Sequence, residues 1–130
     1  MKETFSIASE LPNLEKITHW LIQTLPPELN DKQKNIILLL TQELATNAIL
    51  HGNKESPQKQ VIITLFIENT SLSISIQDEG TGLDSLPTLE EAKNMDYLEE
   101  NGRGLKLAVM HANEIHLNGN EIKLYFDTKN

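Results

Sequence analysis

Residues 60–78 read QVIITLFIENTSLSISIQD, and this stretch decides the fold. Gln60–Glu68 is β-branched and apolar on both faces, which suits a central strand. Asn69 and Thr70 supply a turn. Ser71–Asp78 then alternates without a miss, with Leu72, Ile74 and Ile76 on one face and Ser71, Ser73, Ser75 and Gln77 on the other. Asp78 has the parity of the apolar set, so the strand ends by turning a carboxylate toward the core.

Upstream of this pair, residues 2–8 alternate at Phe5 and Ile7 and read as a first strand, with Ser9 a candidate helix N-cap. From Glu10, the positions Leu11, Leu14, Ile17, Leu21 and Leu25 step by three or four and describe one face of a helix that Pro26 and Pro27 stop. Asp31 can cap a second helix running to about His51, with Ile36, Ile37, Leu40 and Leu44 as its buried stripe and Gly52 at its end. Downstream, residues 79–104 are rich in glycine and acids with weak periodicity, and Leu105–His111 resumes a helical pattern. Ile115–Leu117, the Asn118-Gly119 dipeptide and Glu121–Phe126 read as a closing hairpin. Strands fall in adjacent pairs and helices in clusters. The expected class is therefore α/β, a two-layer α/β sandwich with a mostly antiparallel mixed sheet.

The chain has 130 residues, 11 basic against 19 acidic, a net charge of −8 and no cysteine. This length suffices for one proper core, so a single domain over 1–130 is expected. The acidic balance removes the attraction that dominates non-specific binding to nucleic acid or anionic membrane. Absence of cysteine excludes disulfides, thiolate metal sites and a cysteine nucleophile. The start lacks the basic-then-apolar pattern of a signal peptide, and no apolar run approaches the roughly 18 residues that span a bilayer. A cytoplasmic protein is the expectation.

Three clusters carry chemistry. Glu43, Asn47 and His51 are spaced i, i+4, i+8 on the second helix and fall within about 80° of one another. That spacing also describes a plain solvated face, but a carboxylate beside a carboxamide offers a proton acceptor and a neutral, hard oxygen ligand for Mg²⁺. In Asp78-Glu79-Gly80-Thr81-Gly82, an inward carboxylate needs donors, because an unpaired buried charge is costly. It either caps its own turn or accepts a hydrogen bond from an exocyclic amine, while Gly80 and Gly82 let the backbone approach a flat ring. In Gly102-Arg103-Gly104-Leu105-Lys106, glycines precede a helix whose free N–H groups suit a phosphate, and Arg103 and Lys106 add positive charge. A plain glycine turn is the alternative there. Neither a P-loop nor a dinucleotide-binding fingerprint occurs.

In this order, Glu43-Leu-Ala-Thr-Asn47-Ala-Ile-Leu-His51-Gly52, Asp78-Glu-Gly80-Thr-Gly82-Leu and Gly102-Arg-Gly104-Leu105 resemble the N, G1 and G2 boxes of the GHKL ATPases. The short length and the wording of the boxes are similar to the bacterial anti-sigma-factor serine kinases of the RsbW and SpoIIAB type. The resemblance runs from the first strand to the closing hairpin. It implies the Bergerat sandwich, with ATP and Mg²⁺ as cofactors. It further implies that Asp78 reads the adenine amine, Asn47 ligates Mg²⁺ and Glu43 is the general base. Gly80 and Gly82 would line the base pocket, and Gly102, Arg103, Gly104 and Leu105 would close over the phosphates. His51 and Gly52 are expected in packing or turn roles. Asn113 departs from the family, where an aspartate is common.

Residues 84–100 correspond to the family's ATP lid and hold six acids and one lysine, net −5. A segment so negative cannot rest against a triphosphate without intervening cations, so its acids are expected to face away. The implied activity is an ATP-dependent serine/threonine kinase that sequesters a sigma factor and phosphorylates a small anti-anti-sigma (STAS-type) protein, as a homodimer. Its rivals are a nucleotide-binding, partner-sequestering module without phosphotransfer and a detached histidine-kinase catalytic domain. Glu43 favours the kinase over the first rival, and the absence of a preceding phosphoacceptor helix disfavours the second. Among lone residues, Trp20 is expected in the core, and His19 lacks an acidic neighbour on its C-terminal side and sits on a helix that bears the core stripe, which disfavours it as a phosphoacceptor.

Overall fold

In a computed structural model of the protein, which describes residues 1–80 and 103–128, strands β2 (Gln60–Glu68) and β3 (Ser71–Gln77) pair antiparallel with Glu68 opposite Ser71. Asn69 and Thr70 make the connection, and Asn69 takes the left-handed conformation at φ +49°. β1 (Lys2–Ala8) flanks β2, while β5 (Glu121–Asp127) flanks β3 and carries β4 (Glu114–Asn118) at the far edge. The order is β1-β2-β3-β5-β4, and every pairing is antiparallel. Helices α1 (Leu14–Thr24), α2 (Asp31–Asn47) and α3 (Arg103–His111) form the second layer.

Register brings Ile63 opposite Ile76, Leu65 opposite Ile74, and Ile74 opposite Leu124 on the face the helices cover. Ile17 and Leu21 of α1, Ile37, Leu40 and Leu44 of α2, and Leu107 and Ala108 of α3 are buried in the same core. Each such leucine or isoleucine contributes roughly 1.5–3 kcal/mol by leaving water, which offsets the entropy lost on ordering the chain. Trp20 is half-buried and stacks on Phe5 with ring centroids 5.4 Å apart. Among the described residues, no helix covers the opposite face of the sheet. Ser73 and Ser75 are buried there by their larger neighbours, whereas Phe66 remains 38% exposed, so the apolar character of β2 on both sides reflects a central place in the sheet rather than two covered faces.

Several local expectations are corrected. Asn30, not Asp31, caps α2: its side chain accepts from the Gln33 N–H at 2.8 Å, and Gln33 Oε1 accepts from the Asn30 N–H at 3.0 Å, a reciprocal capping box. α2 ends at Asn47 and continues as a π turn, Ala48–Gly52, rather than as α-helix to His51. The first helix opens with a 3₁₀ turn, Leu11–Asn13, and Ser9 does not cap it; Ser9 is buried, and its hydroxyl donates to the Lys59 carbonyl at 2.7 Å. The β4–β5 connection is Gly119-Asn120 instead of Asn118-Gly119, because Asn118 pairs with Glu121. Gly119 has φ +62°, and Asn120 is not among the residues of positive φ, the pattern of a type II′ turn with glycine first.

Candidate functional site

The end of β3, the π turn after α2, the start of α3 and the β4–β5 turn surround a cleft of about 680 Å³, a size suited to a small organic ligand. Leu44, Ile76, Leu105, Leu117 and Ile122 supply apolar wall, and Asn47, His51, Lys54, Lys59, Asp78 and Glu79 supply polar groups.

Asp78 lies where strand parity directs it, on the helical side just past β3. Its backbone N–H donates to the Asn120 carbonyl at 3.1 Å, which pins the strand end to the β4–β5 turn. Its Oδ1 accepts the Gly80 N–H at 2.7 Å. A carboxylate has about four acceptor sites, so this turn bond leaves capacity for a ligand donor. Burial pushes the Asp78 carboxyl above the usual aspartate range, opposed by the Gly80 hydrogen bond and the charge of Lys59.

Two glycines make this placement possible. A Cβ on Gly52 would overlap the Asp78 carboxylate, and a Cβ on Gly80 would stand 2.5 Å from the Gly52 carbonyl oxygen. The carboxylate therefore rests directly on the backbone of the π turn. The turn itself is held by the Asn53 N–H, which donates to the Ala48 carbonyl at 2.8 Å. Such widened turns recur at functional sites.

α3 also approaches α2 closely, though with more room than at Gly52 and Gly80. A Cβ on Gly104 would lie 3.1 Å from Glu43 Cβ and 3.4 Å from Asn47 Nδ2, so only a residue without a side chain seats the helix start there comfortably. Asn47, Asp78, Gly80 and Leu105 thus line one cleft, with Gly104 packed behind Asn47. Glu43, half-buried one helical turn before Asn47, does not line the cleft among the described residues. His51 does line it, and is exposed. Arg103 is the first residue of α3. Gly82, Gly102, the side chain of Arg103 and the segment 84–100 lie outside the described residues.

The arrangement fits an adenine nucleotide: apolar walls for a flat ring, one carboxylate at the base of the cleft, and a glycine cradle that a single Cβ would fill. It also fits Mg²⁺ delivered with phosphates. That ion keeps several of its own waters and takes one or two protein oxygens, and Asn47 offers one. Among the described residues, no group of three or more histidines and acids is placed to hold a metal by itself.

Gly52, expected in a packing or turn role, ends the π turn and bears on Asp78, though nothing in its neighbourhood reveals that a carboxylate from another strand will lie on it. Sequence reasoning missed three other participants. Asn53, Lys59 and Asn120 each sit in polar connections whose composition predicts only a turn. Asn113, the departure from the family pattern, accepts the Asp127 N–H at 2.9 Å and so fastens the end of β5.

Comparison with known protein families matches residues 7–126 to the histidine kinase-like ATPase domain. Among similar proteins, an anti-sigma F factor of Shouchella clausii is 32% identical over 113 residues, covering 82% of this chain and 74% of the relative. An anti-sigma F factor of Bacillus cytotoxicus is 28% identical over 127 residues, covering 93% and 84%. One from Bacillus licheniformis is 30% identical over 113 residues, covering 82% and 74%.

Proposed function

Because the chain belongs to the histidine kinase-like ATPase domain family, we propose that it is an ATP-binding anti-sigma factor and protein serine/threonine kinase, a single ATPase domain over 1–130 whose substrate is a small anti-anti-sigma protein of the STAS type. The observation that carries the reading is the Asp78 carboxylate resting on Gly52 in a cleft that Asn47 and Leu105 also line. The names of the similar proteins, anti-sigma F factors, support the choice of a sigma factor as the sequestered partner. A homodimer is proposed on the same family ground.

Each residue has one task in this reading. Asp78 accepts a hydrogen bond from the adenine amine, and Gly80 and Gly82 give the ring room. Asn47 lends its carboxamide oxygen to Mg²⁺. Gly102, Arg103, Gly104 and Leu105 surround the phosphates, and the free N–H groups of a helix that begins at Arg103 favour negative charge there. Bound Mg-ATP supplies the transferable phosphoryl group and the charge neutralisation its transfer needs. Glu43 takes the proton that the attacking serine or threonine hydroxyl gives up, as its place one turn from Asn47 suits.

The position of Glu43 outside the cleft lining favours one second reading, a nucleotide-dependent sequestering module without phosphotransfer. The two separate in one experiment. The purified protein is mixed with labelled ATP and each small STAS-type protein of the same genome, and phosphoserine and release of a bound sigma factor are measured. Label on the STAS-type protein with sigma release supports the kinase. Nucleotide-dependent partner retention without label supports the module.

A further inference from the structure

Asn53 is completely buried, does not line the cleft, and has its side-chain amide engaged on both sides. Nδ2 donates to Ser9 Oγ at 2.7 Å and to the Gln60 carbonyl at 3.0 Å, while Oδ1 accepts the Glu79 N–H at 2.7 Å. One side chain therefore joins the ends of β1 and β3 to the start of β2. A buried amide with every group satisfied is ordinarily a structural pin. Its attachment point gives it a second consequence. The Glu79 N–H belongs to the peptide that leaves Asp78, so the bond to Asn53 fixes the plane of that peptide and the rotation of the Asp78 backbone about it. The following residue, Gly80, then donates to Asp78 Oδ1, and the residue before Asn53, Gly52, bears against the same carboxylate. The last residue of the π turn and the one that follows it thus set the carboxylate: Gly52 by contact, Asn53 through the backbone.

We infer that Asn53 is a positioning residue for base recognition, holding Asp78 in the orientation from which it accepts a hydrogen bond from the exocyclic amine of adenine. This rests on the role proposed for Asp78, and it makes purine discrimination, and not stability alone, depend on Asn53. The amide touches no ligand. It acts by keeping an acceptor in place before the ligand arrives, so that binding need not order the turn.

The test compares Mg-ATP with Mg-ITP, which carries a carbonyl oxygen where ATP carries the amine, by calorimetric titration of the full chain. Wild type is expected to prefer ATP by about tenfold or more, the worth of one hydrogen bond to a charged group. Asp78→Asn is expected to lose or invert that preference. Asn53→Ala is expected to bind ATP about tenfold more weakly while its ITP affinity stays within about twofold, so that the preference collapses. A folded Asn53→Ala protein that has a lower Tm but keeps the wild-type preference would make Asn53 a structural pin only and overturn the inference. Failure of wild type and Asp78→Asn to differ would instead overturn the reading of Asp78, and the inference with it. Should Asn53→Ala not fold, exchange of the Glu79 amide in nucleotide-free wild type decides. Protection equal to that in the ATP complex is expected, and free exchange would show that the turn is not held before binding.

Discussion

Asp78 is under two opposed demands. In the proposed reading the ionised carboxylate is the stronger acceptor for the adenine amine, while burial favours its protonated form and raises its pKa above the ordinary 3.8. The nucleotide-free native state therefore holds this proton more tightly than the unfolded chain does, so the contribution of Asp78 to stability grows as pH falls through the raised value and is complete below 3.8. Above the raised value the ionised group costs stability. Asp78→Asn, which resembles the protonated form, is accordingly expected to unfold at an equal or higher denaturant concentration than wild type at pH 7, with the difference vanishing as the pH is lowered. A variant clearly less stable than wild type at pH 7 would mean that the burial cost is absent. Nucleotide affinity should move the opposite way and weaken at a higher pH than an ordinary aspartate would dictate. Gly52→Ala confronts the same carboxylate with a methyl group. Overpacking of this kind costs about 1–3 kcal/mol, and ATP affinity should fall with it; titration and chemical denaturation read both, and an unchanged affinity would show that the carboxylate has room to move. The inward direction of Asp78 was legible from alternation along Ser71–Asp78. Its resting place was not, because steric contact between Gly52 and a residue on another strand leaves no local trace in either segment.

At the scale of elements, α2 presents Glu43 and Asn47 one turn apart, and their proposed roles predict separable defects. Glu43→Gln keeps the shape but cannot take a proton, so phosphotransfer should slow by roughly 10²–10⁴-fold with nucleotide affinity nearly intact. Asn47→Ala should weaken binding of Mg-ATP and leave binding of ATP without Mg²⁺ little changed. Single-turnover transfer and titration with and without Mg²⁺ check the pair; wild-type transfer by Glu43→Gln would remove the base assignment. Every strand and helix outside 81–102 was legible from periodicity, and the errors lie at the ends. Asn30 and Asp31 are both good caps, and only the reciprocal bond with Gln33 decides between them. The π turn escaped because it widens the helix without requiring any particular residue type, yet it is what brings Gly52 and Asn53 to the end of β3. The β4–β5 turn was placed one residue early because Asn-Gly and Gly-Asn both fit a two-residue hairpin, and strand pairing selects the second.

For the whole molecule, the sandwich follows from the paired strands of 60–78 and the apolar stripes of the helices, and both were readable. Which proteins it meets is written less locally, in shape and charge. A net charge of −8 suits a basic segment of the proposed sigma-factor partner, and attraction between exposed charges is screened beyond about 8 Å at physiological salt. Partner association should therefore slow and weaken several-fold as salt is raised, while Mg-ATP affinity, set inside the cleft, changes less. Equal salt dependence for both would place the governing charges at the nucleotide instead of at the partner surface.

The most direct test of the central claim is a calorimetric titration of Mg-ATP into wild type and Asp78→Asn at neutral pH. The account predicts one-to-one binding by wild type and an affinity at least about tenfold weaker in the variant, which remains folded. Equal affinity in the two proteins, or no binding of ATP by wild type, would contradict it.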